Sequence, residues 1–108
     1  RVPTCGDTVD IPAGFTVTVN SQQTYACGTP LIIIVHGTLK FTTGNKLDMP
    51  CGSLVQVMTG GQVVPGNGGG NSNYIMICNT VYWNASSGTL TGPVTIGGSP
   101  LPIKLLSF

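Results

Sequence analysis

Residues 27–41 read CGTPLIIIVHGTLKF, and this stretch decides the fold. A Cys-Gly pair is followed by the apolar run Leu31–Val35, by a His36-Gly37 corner, and by a second run that ends at Phe41. A short apolar run bounded by turn residues predicts a strand, and the glycine predicts a bend between two strands. Because Leu31–Val35 is apolar without interruption, it is typical of a strand buried on both faces.

The same order of features recurs along the chain. It appears as CGDTVDIPAGFTVTV in residues 5–19, as CGSLVQVMTGGQVV in 51–64 and, more loosely, as CNTVYWNASSGTLTGPVTI in 78–96. The cysteines are therefore 22, 24 and 27 residues apart. A period in the twenties is typical of stacked units that bury one face against the next, which predicts a short β-solenoid or a sandwich with solenoid-like stacking. If the likeness of the blocks is coincidental, the alternative is an antiparallel β-sandwich.

The whole domain is predicted to be β-structure. Sixteen glycines, eight prolines and abundant Thr and Val suit strands and tight turns. In 15–19, Phe15, Val17 and Val19 alternate with threonines, so these three side chains share one face. The other predicted strands are 31–35, 39–42, 54–58, 62–64, 74–78, 81–83, 89–90 with 94–96, and 103–108. We expect one all-β domain over residues 1–98 and an apolar connecting strand over 99–108.

The four cysteines predict an oxidising compartment. An even number of cysteines in a short chain rich in uncharged polar residues is typical of a secreted protein with two disulfides. Spacing leaves the pairing open, and we favour the sequential pairs Cys5–Cys27 and Cys51–Cys78. We therefore expect a secreted protein, located outside the cell or on its surface.

Charge is scarce in this chain. Four basic and three acidic residues make up 6% of the 108 positions, with a net charge of +1, whereas about a quarter of the residues are charged in an ordinary domain. Scattered cations provide no patch for nucleic acid, and no apolar run is long enough to predict membrane insertion. So little charge also gives weak self-repulsion, which favours association with other copies.

The residues that could perform catalysis are few. Asp7 and Asp10 are three positions apart and would face opposite ways on a strand, so they suit a turn better than an acid–base pair. His36, the only histidine, is expected to have a structural role at its corner. The sequence predicts a protein that is not an enzyme and has no cofactor and no metal site.

Three aromatic residues could contact a glycan. They are Tyr74, Tyr82 and Trp83, since sugars are bound by stacking on aromatic faces. Tyr82 and Trp83 are adjacent and would face opposite sides of a strand, and we expect Trp83 to lie in the core.

The C-terminal segment (residues 99–108, SPLPIKLLSF) is apolar and carries one charge, on Lys104. Both of its prolines precede residues 103–108, so that run has a full set of strand donors to offer the edge of a sheet. The predicted alternatives are packing on its own domain and addition to a neighbouring molecule. In the second case, the interface residues would be Leu101, Ile103, Leu105, Leu106 and Phe108.

The last eight residues, LPIKLLSF, resemble the LPVELLSF-type stretch of Bacteroidota secreted surface proteins. In those proteins the stretch precedes the C-terminal sorting domain of type IX secretion. The opening CGDTVDIPAG and the corner VHGTLKF are also similar to β-helical segments of such proteins. Lys104 departs from the pattern, which usually has an acidic residue there. The resemblance implies secretion and surface display, and it implies no particular activity.

These observations lead to two functional hypotheses. The first is a structural subunit of an extracellular filament or surface assembly, whose partners are copies of itself joined by β-strand addition. The alternative is a secreted carbohydrate-binding or adhesin module, whose partner would be a glycan.

Overall fold

The computed structural model describes residues 3–25, 28–66 and 73–97. The described residues form short β-strands and one turn of 3-10 helix at Ala85–Ser87. The strands are β1 (Thr8–Ile11), β2 (Thr16–Val19), β3 (Gln23–Thr24), β4 (Ile32–Val35), β5 (Thr38–Phe41), β6 (Leu47–Met49), β7 (Leu54–Val57), β8 (Gln62–Val64), β9 (Tyr74–Ile77), β10 (Thr80–Asn84), β11 (Leu90–Thr91) and β12 (Val94–Gly97).

The first nine strands form a three-sided parallel solenoid. Each rung contributes one strand to each of three sheets, in which β1, β4 and β7, then β2, β5 and β8, and then β3, β6 and β9 are parallel neighbours. Thr8 pairs with Ile32 and Ile32 with Leu54, so these rungs are offset by 24 and 22 residues. The solenoid predicted from the cysteine spacing is therefore confirmed, and the sandwich alternative is not.

The core is the inside of the solenoid. Alternate residues of each strand point inwards and stack on the equivalent residues of the next rung, as Ile11, Val35 and Val57 do. Leu31, Ile33 and Val35 are buried in this way. The prediction that this run is buried on both faces was wrong, because Ile32 and Ile34 point outwards and are only half-buried. A strand of a one-layer solenoid wall has a single inner face.

The corner between the first and second strands of each rung depends on glycine. A Cβ atom on Gly37 would lie 2.3 Å from the carbonyl oxygens of Pro12 and Phe15 in the preceding rung. A Cβ atom on Gly61 would likewise lie 2.1 Å from the carbonyl oxygen of Val35. These glycines, which the sequence predicted as corners, are needed because successive rungs approach so closely that no side chain fits.

Two buried polar side chains hold the rungs together. Within the described residues, Ser53 and Asn73 are the polar residues that are fully buried. Ser53 Oγ accepts a hydrogen bond from the Leu31 amide at 2.9 Å. Asn73 Oδ1 accepts from the Gly66 amide at 2.7 Å, and its Nδ2 donates to the carbonyls of Thr42 and Asn45 at 2.8 and 2.9 Å. Both groups are therefore satisfied, as buried polar groups must be.

The fourth rung runs backwards. Cys78 and Asn79 have φ values of 54° and 63° and form a two-residue hairpin between β9 and β10, which is the geometry that tight β-hairpins favour. As a result, β10, β11 and β12 pair antiparallel with β9, β8 and β7. This reversal explains why residues 78–96 match the other repeats only loosely.

A disulfide joins Cys51 to Cys78, as predicted. It links the turn between β6 and β7 to the hairpin between β9 and β10. Cys27, the predicted partner of Cys5, lies outside the described residues, and none of the described cysteines is free. Residues 99–108, predicted as a connecting strand, also lie outside the described part.

Candidate assembly site

The two ends of the solenoid differ, and the open end is built by the first rung. β1, β2 and β3 each lie at the edge of a sheet and pair on one side only, with β4, β5 and β6. Along the other side, their backbone groups have no described strand to pair with. Such an edge can accept an additional strand.

A cavity of about 140 Å³ opens at this end. The inward side chains of the first rung form its walls, because no described rung covers them. We call it the end cavity. Its lining is mostly apolar and comprises Pro3, Val9, Ile11, Val17, Thr18, Val19, Asn20, Gln23, Tyr25, Leu31, Ile33, Leu39 and Leu47.

The exposed fractions of the side chains show how much of the inner face of the first rung is left uncovered. Val17 is 43% exposed and Phe15 is 64% exposed, although both belong to the alternating run that predicted one shared face. Val19, by contrast, is 8% exposed. The sequence correctly predicted a strand here. It did not identify the strand as part of a site, because the pattern is the same as in a strand whose inner face is covered.

Tyr25 forms part of the cavity rim. Its hydroxyl donates a hydrogen bond to the Pro3 carbonyl at 2.9 Å. Burial raises the pKa of Tyr25 above its usual value, and the negative charge of Asp7 raises it further. The one phenol on the cavity wall therefore already has a partner, which leaves the apolar surface as the main feature of the site.

The opposite end is closed by Trp83. Its ring lies 5.3 Å from the ring of Phe41, and Nε1 donates a hydrogen bond to the Gly88 carbonyl at 3.0 Å. Trp83 is only 3% exposed although it belongs to the last rung. It was also one of the three predicted glycan contacts, and in the structure its indole lies in the core, as expected.

The two tyrosines of that group lie on the outside of the sheet formed by β3, β6, β9 and β10. Tyr82 is 51% exposed and lies beside Val81 at a bulge in β10. Tyr74 is half-buried, and the Lys46 ammonium lies 5.7 Å from its ring centre.

The candidate catalytic residues make separate contacts. Asp7 has the predicted turn role, since its Oδ2 accepts a hydrogen bond from the Thr4 amide at 2.8 Å. Asp10 lies instead in β1, a strand that the sequence did not predict, and its Oδ1 is 3.7 Å from Nε2 of His36. Both side chains of this pair are well exposed, at 61% and 42%. Within residues 3–25, 28–66 and 73–97, no three of the His, Cys, Asp or Glu side chains meet where a metal ion could bind.

The predicted interface residues Leu101, Ile103, Leu105, Leu106 and Phe108 lie outside the described residues. The structure therefore presents the candidate acceptor surface and not the segment that would occupy it.

Comparison with known proteins gave no match to a family model, to a curated protein or to a solved structure. In the described part of the chain, no helix has the length and apolar character needed to cross a membrane.

Proposed function

We propose that this chain is a structural, non-enzymatic subunit of an extracellular filament or surface assembly. Copies join by β-strand addition, and the C-terminal segment (residues 99–108) of one copy pairs with an edge of the next. Such a head-to-tail contact does not close on itself and therefore propagates.

The observation that carries this proposal is the open end of the solenoid. It combines unpaired strand edges with an apolar cavity, and exposed edges of this kind are usually blocked by charges, prolines or covering loops in proteins that stay monomeric. On the first rung, Asp10 is an exposed charge in β1, but Val17 and Phe15 are exposed apolar side chains that nothing in the described part of the chain covers. An added strand would satisfy the backbone groups and cover the apolar side chains together.

Chain composition supports the same proposal. With a net charge of +1 and 6% charged residues, copies repel one another weakly. Burying three large side chains of residues 101–108 would contribute on the order of 5–8 kcal/mol before the ordering cost. Lateral contacts between neighbouring subunits would add to this.

The test is a size measurement. Sedimentation velocity and negative-stain imaging compare the full chain with a chain that ends at residue 98, and circular dichroism verifies that both are folded. We expect polymers from the full chain and monomers from the shorter one. A full chain that stays monomeric at high concentration would contradict the proposal.

The exposed ring of Tyr82 favours a second candidate, a secreted glycan-binding or adhesin module. One exposed ring beside an aliphatic neighbour can stack on a sugar. Here we expect a monomer that binds a polysaccharide and loses most of that binding in Tyr82→Ala, while Phe15→Ala at the other end serves as the control.

A further inference from the structure

The size of the end cavity indicates what kind of group it accepts. Its volume is about 140 Å³, and a dry apolar cavity of roughly 150 Å³ accepts benzene. The site therefore has room for one large apolar side chain, up to the size of a phenyl ring.

The lining selects for an uncharged group. The residues that form the cavity wall include none with a charged side chain. Burying an unpaired charge against such a wall is costly. In the C-terminal segment, Phe108 is the aromatic residue and Lys104 is the single charge, so Phe108 suits the cavity and Lys104 must remain outside it.

The acidic residues at the open end are compatible with Lys104 lying outside the cavity. Asp7 and Asp10, two of the three acidic residues, lie on the first rung next to the cavity. Asp10 is 61% exposed. A cation four residues before Phe108 can therefore lie beside this edge in water, where it gains a modest attraction.

The segment can also reach a neighbouring copy. β12 ends at Gly97 in the reversed rung, at the closed end. Residues 98–108 span at most roughly 38 Å when extended, and the first rung of the same copy is about 14 Å away across three strand spacings. The segment is therefore long enough to reach the open end of its own copy and that of a second copy. The low net charge favours the approach of a second copy, and the closed end need not touch it.

Building on the filament function, we propose that the end cavity is the receptor for residues 101–108 of a second copy, with the Phe108 ring inside it. The backbone of the segment pairs with the free edge of the first rung. Leu106 shares the strand face of Phe108 and covers the neighbouring apolar surface, while Lys104 stays in the solvent at the start of the paired segment.

Photo-crosslinking tests this directly. Phe108 is replaced by p-azidophenylalanine in the full chain, and labelled and unlabelled chains of different isotope content are mixed, assembled and illuminated. Mass spectrometry should find the probe at position 108 joined to cavity residues such as Val17, Ile11 or Leu31. The joined peptides should include pairs in which one peptide is isotope-labelled and the other is not, which shows that they come from two copies. Capture by any other surface, or only within one chain, would overturn the proposal. The same probe at Tyr82 should not label the cavity.

A matched pair of valines separates this proposal from the filament function. Val17 in the cavity and Val81 at the closed end are exposed to almost the same degree, 43% and 46%. We expect Val17→Lys to raise the critical concentration for assembly at least tenfold and Val81→Lys to change it less than twofold, with both variants folded by circular dichroism. Equal assembly of the two variants would overturn the cavity proposal while the filament function stands. If the unmodified chain does not assemble, the filament function itself fails.

Discussion

The two terminal rungs differ in how well their inward-pointing side chains cover the core. At the open end, Val17 points towards the axis of the solenoid and remains 43% exposed. At the closed end, Trp83 belongs to a terminal rung and is 3% exposed. The difference is one of shape: an indole and the turn that follows it cover the core, whereas a valine leaves a cavity.

This comparison shows that a solenoid needs a dedicated terminus wherever it is to stop growing, since each rung is stable only with a neighbour. The reversed rung provides one here: its antiparallel pairing changes the strand direction, and Trp83 fills the core. Among the described residues, the first rung has neither feature, and this difference is the basis of the assembly that we propose at the open end.

The largest expected effect concerns the closed end. Trp83→Ala removes the ring packed on Phe41 and the hydrogen bond to Gly88, and we expect the free energy of unfolding to fall by about 3–5 kcal/mol. Val17→Ala should cost less than about 1 kcal/mol, because the side chain is already partly in water. Denaturant unfolding measures both changes. Trp83→Phe is the control and should lose less than Trp83→Ala, and a larger loss in Val17→Ala would reverse our assignment of the two ends.

The next effect concerns the covalent link at the closed end. Replacing both Cys51 and Cys78 by alanine releases a loop with a sequence separation of 27 residues, and we expect a loss of about 3 kcal/mol. Thermal unfolding is the measurement, and Ser86→Ala, an exposed change at the same end, is the control. An unchanged melting temperature would show that the hairpin is held in its left-handed conformation by the backbone alone.

The repeat was readable from the sequence because each parallel rung begins with Cys-Gly and turns at glycine. The weaker fourth block was also informative, since its strands pair in the opposite direction. The reversal itself was not predicted: positive φ is common for Asn79 but not for Cys78.

Three strands were missed for identifiable reasons. β1 includes Asp10, which we assigned to a turn; β3 is a two-residue strand with no apolar residue, and β6 carries Asp48 in its centre. In each case, pairing with the adjacent rung overrides a weak local preference. The end cavity could not be predicted from the alternation of residues 15–19, because exposure there depends on the absence of a described rung beyond them.

A smaller effect compares the corner between the second and third strands in the third rung and in the first rung. Asn73 is fully buried and has three hydrogen-bond partners, whereas Asn20 in the first rung is exposed. We expect Asn73→Ala to cost about 2–3 kcal/mol, since the Gly66 amide and two carbonyls lose their partner. Asn20→Ala should change the free energy of unfolding by less than about 0.5 kcal/mol. Similar losses in both variants would mean that this corner is equally ordered in the first and third rungs.

The smallest effect is the pH dependence that Tyr25 gives to the open end. Because burial and the charge of Asp7 raise the pKa of Tyr25 in the folded chain, the folded state holds the phenolic proton more tightly than the unfolded state does. The resulting stability is fully present below the unfolded pKa of about 10 and is lost as pH rises through the folded pKa. Tyr25→Phe also loses the hydrogen bond to Pro3, at a cost of about 1 kcal/mol near neutral pH. The difference in free energy of unfolding between the unmodified chain and Tyr25→Phe should therefore become smaller from pH 9 to pH 11.5, as measured by urea unfolding. A constant difference across that range would show that the proton on Tyr25 does not contribute to the stability of the open end.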